Sequence, residues 1–162
     1  LSVVRELFDR QTRKTEEKSR RGYAETEIQI NIPIYDVKFI NIVWHGNYIK
    51  YLEDARCALL DRIGYNYLDM HNDGYAWPIA TVKLKYINPC MFLQTIKVKA
   101  MLDEYENRIK VKYEITDAKT GAVLSKAETV QIAINMQTME SCFSSPAMLI
   151  ERVESYIKER AK

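Results

Sequence analysis

The residues best suited to chemistry in this chain fall in two short runs, Tyr35-Asp36-Val37-Lys38 and Trp44-His45-Gly46-Asn47-Tyr48. The second run opens a segment, Asn47 to Ile63, in which Tyr48, Tyr51, Leu52, Ala55, Leu59 and Ile63 recur at intervals of three and four. That spacing predicts a helix with a wide apolar face, capped by Asn47 at its start and stopped by Gly64. The first turn of a helix presents unpaired N–H groups and roughly half a positive charge, and Gly46 would let a ligand approach the backbone closely. Such donors suit a carbonyl oxygen that becomes an oxyanion during acyl transfer. A carboxylate a few residues upstream, Asp36, could then serve as nucleophile or general base.

Other chemistries lack their residues. The five glycines are isolated, so there is neither a phosphate-cradling loop nor a dinucleotide fingerprint. His45 and His71 are the only histidines, and Cys57, Cys90 and Cys142 lie far apart, so no metal site or disulfide framework is expected. The expectation is a reaction without metal or cofactor, or simple binding. Cys57 reads as core, His71 as an exposed loop residue, and Glu53 as a solvated or interface charge.

The elements that must position these residues are mostly strands. From Thr26, Ile28, Ile30, Ile32 and Ile34 alternate with polar residues, which predicts a half-buried strand. After the helix, Ile79–Ile87, Thr95–Tyr105, Arg108–Thr116 and Ala122–Asn135 have period two, joined in part by turns at Glu106-Asn107 and Lys119-Thr120-Gly121. Short links of this kind call for antiparallel hairpins, hence a meander of four or five strands. Ser144-Ser145-Pro146 opens a last amphipathic helix carrying Leu149, Val153, Tyr156 and Ile157. The economical solution is an α+β fold in which an antiparallel sheet wraps one long buried helix, leaving the other sheet face and an edge for a partner subunit.

The whole chain of 162 residues, 47% apolar and 28% charged, suits one globular core. Its net charge of +2 is unevenly spread: residues 1–21 carry seven Lys or Arg against four Asp or Glu, leaving 17 against 18 elsewhere. Residues 1–23 therefore read as a charged arm, with Leu1, Val4, Leu7 and Phe8 at helical spacing, and residues 24–162 as the domain. Glu16 and Glu17 interrupt the arm's basic run and no aromatics interleave it, so a nucleic-acid partner is not expected. The cysteine usage fits a reducing cytoplasm, and no apolar run approaches the roughly 20 residues that span a bilayer. The sequence begins on Leu1 rather than Met, which leaves the native start open.

The run Ile42-Val43-Trp44-His45-Gly46-Asn47-Tyr48, continuing through Tyr51-Leu52-Glu53-Asp54-Ala55-Arg56, resembles the signature of the hotdog-fold acyl-CoA thioesterases of the 4-hydroxybenzoyl-CoA thioesterase type. The resemblance covers about Glu25 to Pro146. It implies hydrolysis of an acyl thioester on coenzyme A or acyl carrier protein by a homodimer or dimer of dimers, with sites at the subunit boundary. It also implies that the thioester carbonyl is held by the backbone N–H of His45, with Trp44, Gly46, Asn47, Tyr48 and Tyr51 around the substrate. Such proteins carry Asp-x-Asp ahead of the motif, and here the pair is Asp36 and Lys38. A lysine acts as a base at pH 7 only if its pKa falls from about 10.4, which costs about 4.6 kcal/mol. Lys38 is therefore a candidate for charge stabilisation, for pairing with Asp36 or for a phosphate contact, and its presence opens the alternative of a non-hydrolytic binding or accessory subunit.

Overall fold

A computed structural model describes residues 22–37 and 42–162. Lys38 and the charged arm up to residue 21 lie outside the described residues. Helix α1 spans Gly46–Ile63 and buries Tyr48, Tyr51, Leu52, Ala55, Leu59, Leu60 and Ile63, while Lys50, Glu53, Asp54 and Asp61 stay exposed along its polar stripe. A five-stranded antiparallel sheet supplies the covering surface: β1 (Glu25–Asn31), β3 (Ile79–Tyr86), β4 (Thr95–Glu104), β5 (Ile109–Asp117) and β6 (Val123–Gln131), in the spatial order β1-β4-β5-β6-β3. Inward residues Ile96, Val98, Ala100 and Leu102 of β4 and Ile109, Val111, Tyr113 and Ile115 of β5 are buried, so alternation in sequence became a core face against the helix.

The connectivity differs from a simple meander. Only β4, β5 and β6 follow one another as hairpins; β3 pairs with β6 at the far edge, and β1 pairs with β4 at the other. The link from β3 to β4, residues 87–94, is long enough to cross, and it runs over the head of α1, where Val43 N–H donates to Cys90 O at 2.9 Å. The strand expected over Ala122–Asn135 breaks after Gln131; Ile134–Asn135 forms β7, which pairs with β2 (Tyr75–Ala76) in a separate two-stranded ribbon.

The segment around His71 is helical rather than loop. Asn66 accepts from Asp69 N–H at 3.0 Å and Asp69 accepts from Asn66 N–H at 3.0 Å, a reciprocal cap that starts α2 (Tyr67–Asn72). Arg56, buried on α1, donates to Tyr67 Oη at 3.2 Å and so ties α2 down. Helix α3 (Ala147–Arg160) follows Pro146 and buries Leu149 and Val153 near the far end of α1, where Arg152 donates to Gly64 O at 3.3 Å. Among the described residues no helix is long and apolar enough to cross a membrane, and all three cysteines are free thiols.

Candidate active site

Asp36 closes a single 3₁₀ turn, Ile34–Asp36, and is 2% exposed. A carboxylate buried this deeply must be paired and hydrogen-bonded, and both of its oxygens are served from α1. Lys50 Nζ lies 2.8 Å from Oδ1, and Tyr51 Oη donates to Oδ2 at 2.6 Å. The carbonyl of Asp36 accepts from Trp44 N–H at 3.1 Å and from Asn47 Nδ2 at 2.9 Å. Four groups around the head of α1 thus converge on one residue ten positions upstream.

Burial first, then the hydrogen bond to Asp36, pushes the Tyr51 phenol well above its ordinary pKa, so it stays a donor. Tyr48 is likewise raised, chiefly by burial; its oxygen accepts from Cys90 N–H at 3.0 Å, and its ring meets Tyr86 edge-on at 5.0 Å. Tyr48 and Tyr51 are thus core residues with committed hydroxyls. Two other tyrosines at this end keep an open face: Tyr86, at 51% exposed, and Tyr35, at 80%, whose ring lies 5.8 Å from Lys50 Nζ.

The head of the helix differs from the sequence expectation in two respects. Asn47 is not the cap: the helix begins at Gly46, His45 occupies the cap position without a side-chain bond, and Asn47 turns its amide to the Asp36 carbonyl. Nor is Gly46 vacant space. A Cβ there would fall 2.3 Å from the Trp44 indole, so the missing side chain makes room for that ring. Asn47 and Tyr48 N–H donate back to Trp44 O and His45 O, whereas His45 and Gly46 N–H have no backbone acceptor among the described residues. Two donors with the positive end of the helix dipole behind them are therefore unspent, beside an exposed imidazole and a half-exposed indole.

Sequence reasoning missed Lys50, taking it for part of a solvated face. No local signal marked it: Lys50 is the fifth residue of the helix, and the carboxylate it meets lies 14 residues upstream. Among the described residues no three His, Cys, Asp or Glu side chains gather as metal ligands would.

Comparison with known proteins shows the family and the fold. A model of the thioesterase-like superfamily matches residues 32–153. The chain is 26% identical over 110 residues to a candidate esterase of Synechocystis, covering 67% of this chain and 66% of the relative, just under two thirds of its length. It is 26% identical over 113 residues to YneP of Bacillus subtilis, by name a candidate acyl-CoA thioesterase, covering 69% and 81%. Among solved structures, a DHNA-CoA thioesterase of Staphylococcus aureus superposes with a TM-score of 0.73 at 25% identity, over 85% of this chain and 91% of that one. A 12:0-ACP thioesterase of Umbellularia californica shares the fold at a TM-score of 0.71 and 14% identity, over 82% and 53%. The family model, over three quarters of the chain, and the shared architecture mean that this chain belongs to the thioesterase-like superfamily, in the hotdog fold.

Proposed function

We propose that this chain hydrolyses an acyl thioester carried on coenzyme A or an acyl carrier protein. The observation that carries the reading is the pair of unspent N–H groups at His45 and Gly46 beside a fixed carboxylate, in a chain of thioesterase family. The thioester carbonyl oxygen would sit against those amides, where donors aimed at a developing oxyanion lower the barrier by about 3 to 4 kcal/mol each. Asp36 has about four acceptor positions, of which Lys50 and Tyr51 fill two, so a water reaching the remainder meets an oriented acceptor. Lys38, two positions on from Asp36 in sequence, is the candidate for added positive charge. Trp44 and Asn47 complete the wall, Trp44 as a half-exposed lid over Gly46 and Asn47 as the strut that holds Asp36 in place.

The names of the relatives support both carriers, a CoA thioester and an acyl carrier protein thioester. A homodimer, or a dimer of dimers, would form through β3, whose outer edge is unpaired and whose Ile79, Val82 and Tyr86 are all exposed.

One observation favours a second reading, a non-hydrolytic thioester-binding subunit: Asp36 is nearly sealed from water by its own helix. Thiol release from short, long and aromatic acyl-CoAs, run beside equilibrium binding, separates the two. Release that disappears in Asp36→Asn supports hydrolysis; saturable binding without release, restored to turnover by Lys38→Asp, supports the accessory role.

A further inference from the structure

The outward face of the sheet, turned away from α1, is rich in charge, unevenly spread. On β1 and β4 it carries Glu25, Glu27, Lys97, Lys99 and Asp103, with opposite signs set against each other: Glu27 lies opposite Lys99 and pairs with Lys97 at 3.8 Å. On β5, β6 and β3 it carries five lysines, Lys83, Lys85, Lys110, Lys112 and Lys126, against two glutamates, Glu114 and Glu128. Glu128 is engaged by Lys110 at 2.9 Å, with Lys83 at 3.8 Å and Lys112 across the ladder. Lys85 stands directly opposite Lys126, a like-charge cross-strand pair that weakens a sheet. Lysine on an exposed edge strand guards against aggregation, which accounts for Lys83 and Lys85; on the interior strands Lys112 and Lys126 face Glu128 and Glu114, and the five lysines still outnumber those two glutamates.

The placement of this field links it to the site. Tyr86, the residue after Lys85 and the last of β3, meets Tyr48 in the first turn of α1 edge-on, so the lysines lie by the end of β3 that reaches the head of the helix. They are also spread over a flat face, on strands about 4.8 Å apart, with Lys83 79% exposed. A compact phosphate group calls for a converging cage of donors, whereas a flat lysine field suits a protein surface rich in Asp and Glu.

We infer that Lys83, Lys85, Lys112 and Lys126 form a docking surface for an acidic acyl carrier protein, which delivers its thioester past the Tyr86 end of β3 to the head of α1. The inference rests on the thioesterase reading and names the carrier for it.

The test compares dodecanoyl acyl carrier protein with dodecanoyl-CoA, using the parent, the double variant Lys85→Glu/Lys126→Glu and a charge-matched control, Lys97→Glu/Lys99→Glu. Thermal melts establish that all are folded. For the docking variant, kcat/KM on the carrier substrate falls at least tenfold while acyl-CoA turnover stays within twofold; the control changes neither beyond twofold. An equal fall on both substrates, an equal fall in the control, or no fall on the carrier overturns the inference. Fluorescence anisotropy of labelled carrier protein separates this from failure of the hydrolase reading. If the parent releases no thiol, tenfold weaker carrier binding by the docking variant still supports the surface, while unchanged binding, or none by the parent, overturns it.

Discussion

The C-terminal end of α1 is finished by its own neighbours in sequence, whereas the N-terminal end is finished by residues brought from elsewhere. At the first, Gly64 adopts φ 83°, its N–H reaches Leu60 O and Asp61 O at 3.1 Å, and Tyr65 N–H returns to Leu60 O at 3.0 Å. The one long-range bond there, from Arg152 to Gly64 O at 3.3 Å, is exposed and adds to an end already closed locally. At the second, the cap residue His45 makes no side-chain bond, two amides stay unspent, and the local order depends on Asp36 from an earlier turn and Cys90 from a later link. A helix end that serves only stability closes locally; one kept for a ligand leaves donors free and takes its rigidity from distant parts of the chain.

Four substitutions break or sharpen that contrast. Asp36→Asn has the largest effect: thiol release drops by about 10² to 10⁴-fold, the usual range for losing a general base, while circular dichroism shows a folded chain. Tyr51→Phe comes next, because it strips a donor from a buried charged oxygen; urea unfolding shows a loss of about 1 to 3 kcal/mol, and turnover falls as Asp36 loses its orientation. Gly64→Ala costs about 1 to 2 kcal/mol, since the left-handed conformation penalises a Cβ, yet kcat stays at the parent value because that end touches no substrate. Gly46→Ala is the smallest in stability. The gain of about 1 kcal/mol from replacing glycine in a helix offsets the displacement of the Trp44 indole. Increased acrylamide quenching of tryptophan reports the moved ring, and a several-fold change in KM at unchanged melting temperature shows that the ring lines the site.

The same contrast explains what the sequence could convey. The apolar period of α1, its Gly64 stop and the alternation along β4 and β5 are local patterns, and each became the expected element. The pairing of β3 with β6 was not legible, because alternation tells which face a strand buries and not which neighbour it takes. At the site, the position of Asp36 near the helix head was readable, but its partners were not. Lys50 and Tyr51 reach it across chain separations of 14 and 15 residues, which no periodicity reports. Asn47 was taken for the cap because Asn has the right chemistry for capping; in the fold that side chain serves the Asp36 carbonyl instead. The short helix α2 carried its signal in Asn66 and Asp69, a reciprocal cap easily read as loop when only apolar spacing is followed.

The crossing of residues 87–94 has a consequence for how the protein comes together. β4, β5 and β6 are joined by tight hairpins and can zip early, but β1 and β3 must each close a long stretch of chain before their ladders form. The head of α1 sits between those two late arrivals in sequence, and its Cys90 contact comes from the crossing itself. A nascent or misassembled chain would thus hold a formed sheet centre and no working centre, so that turnover becomes available only once the final strand has docked.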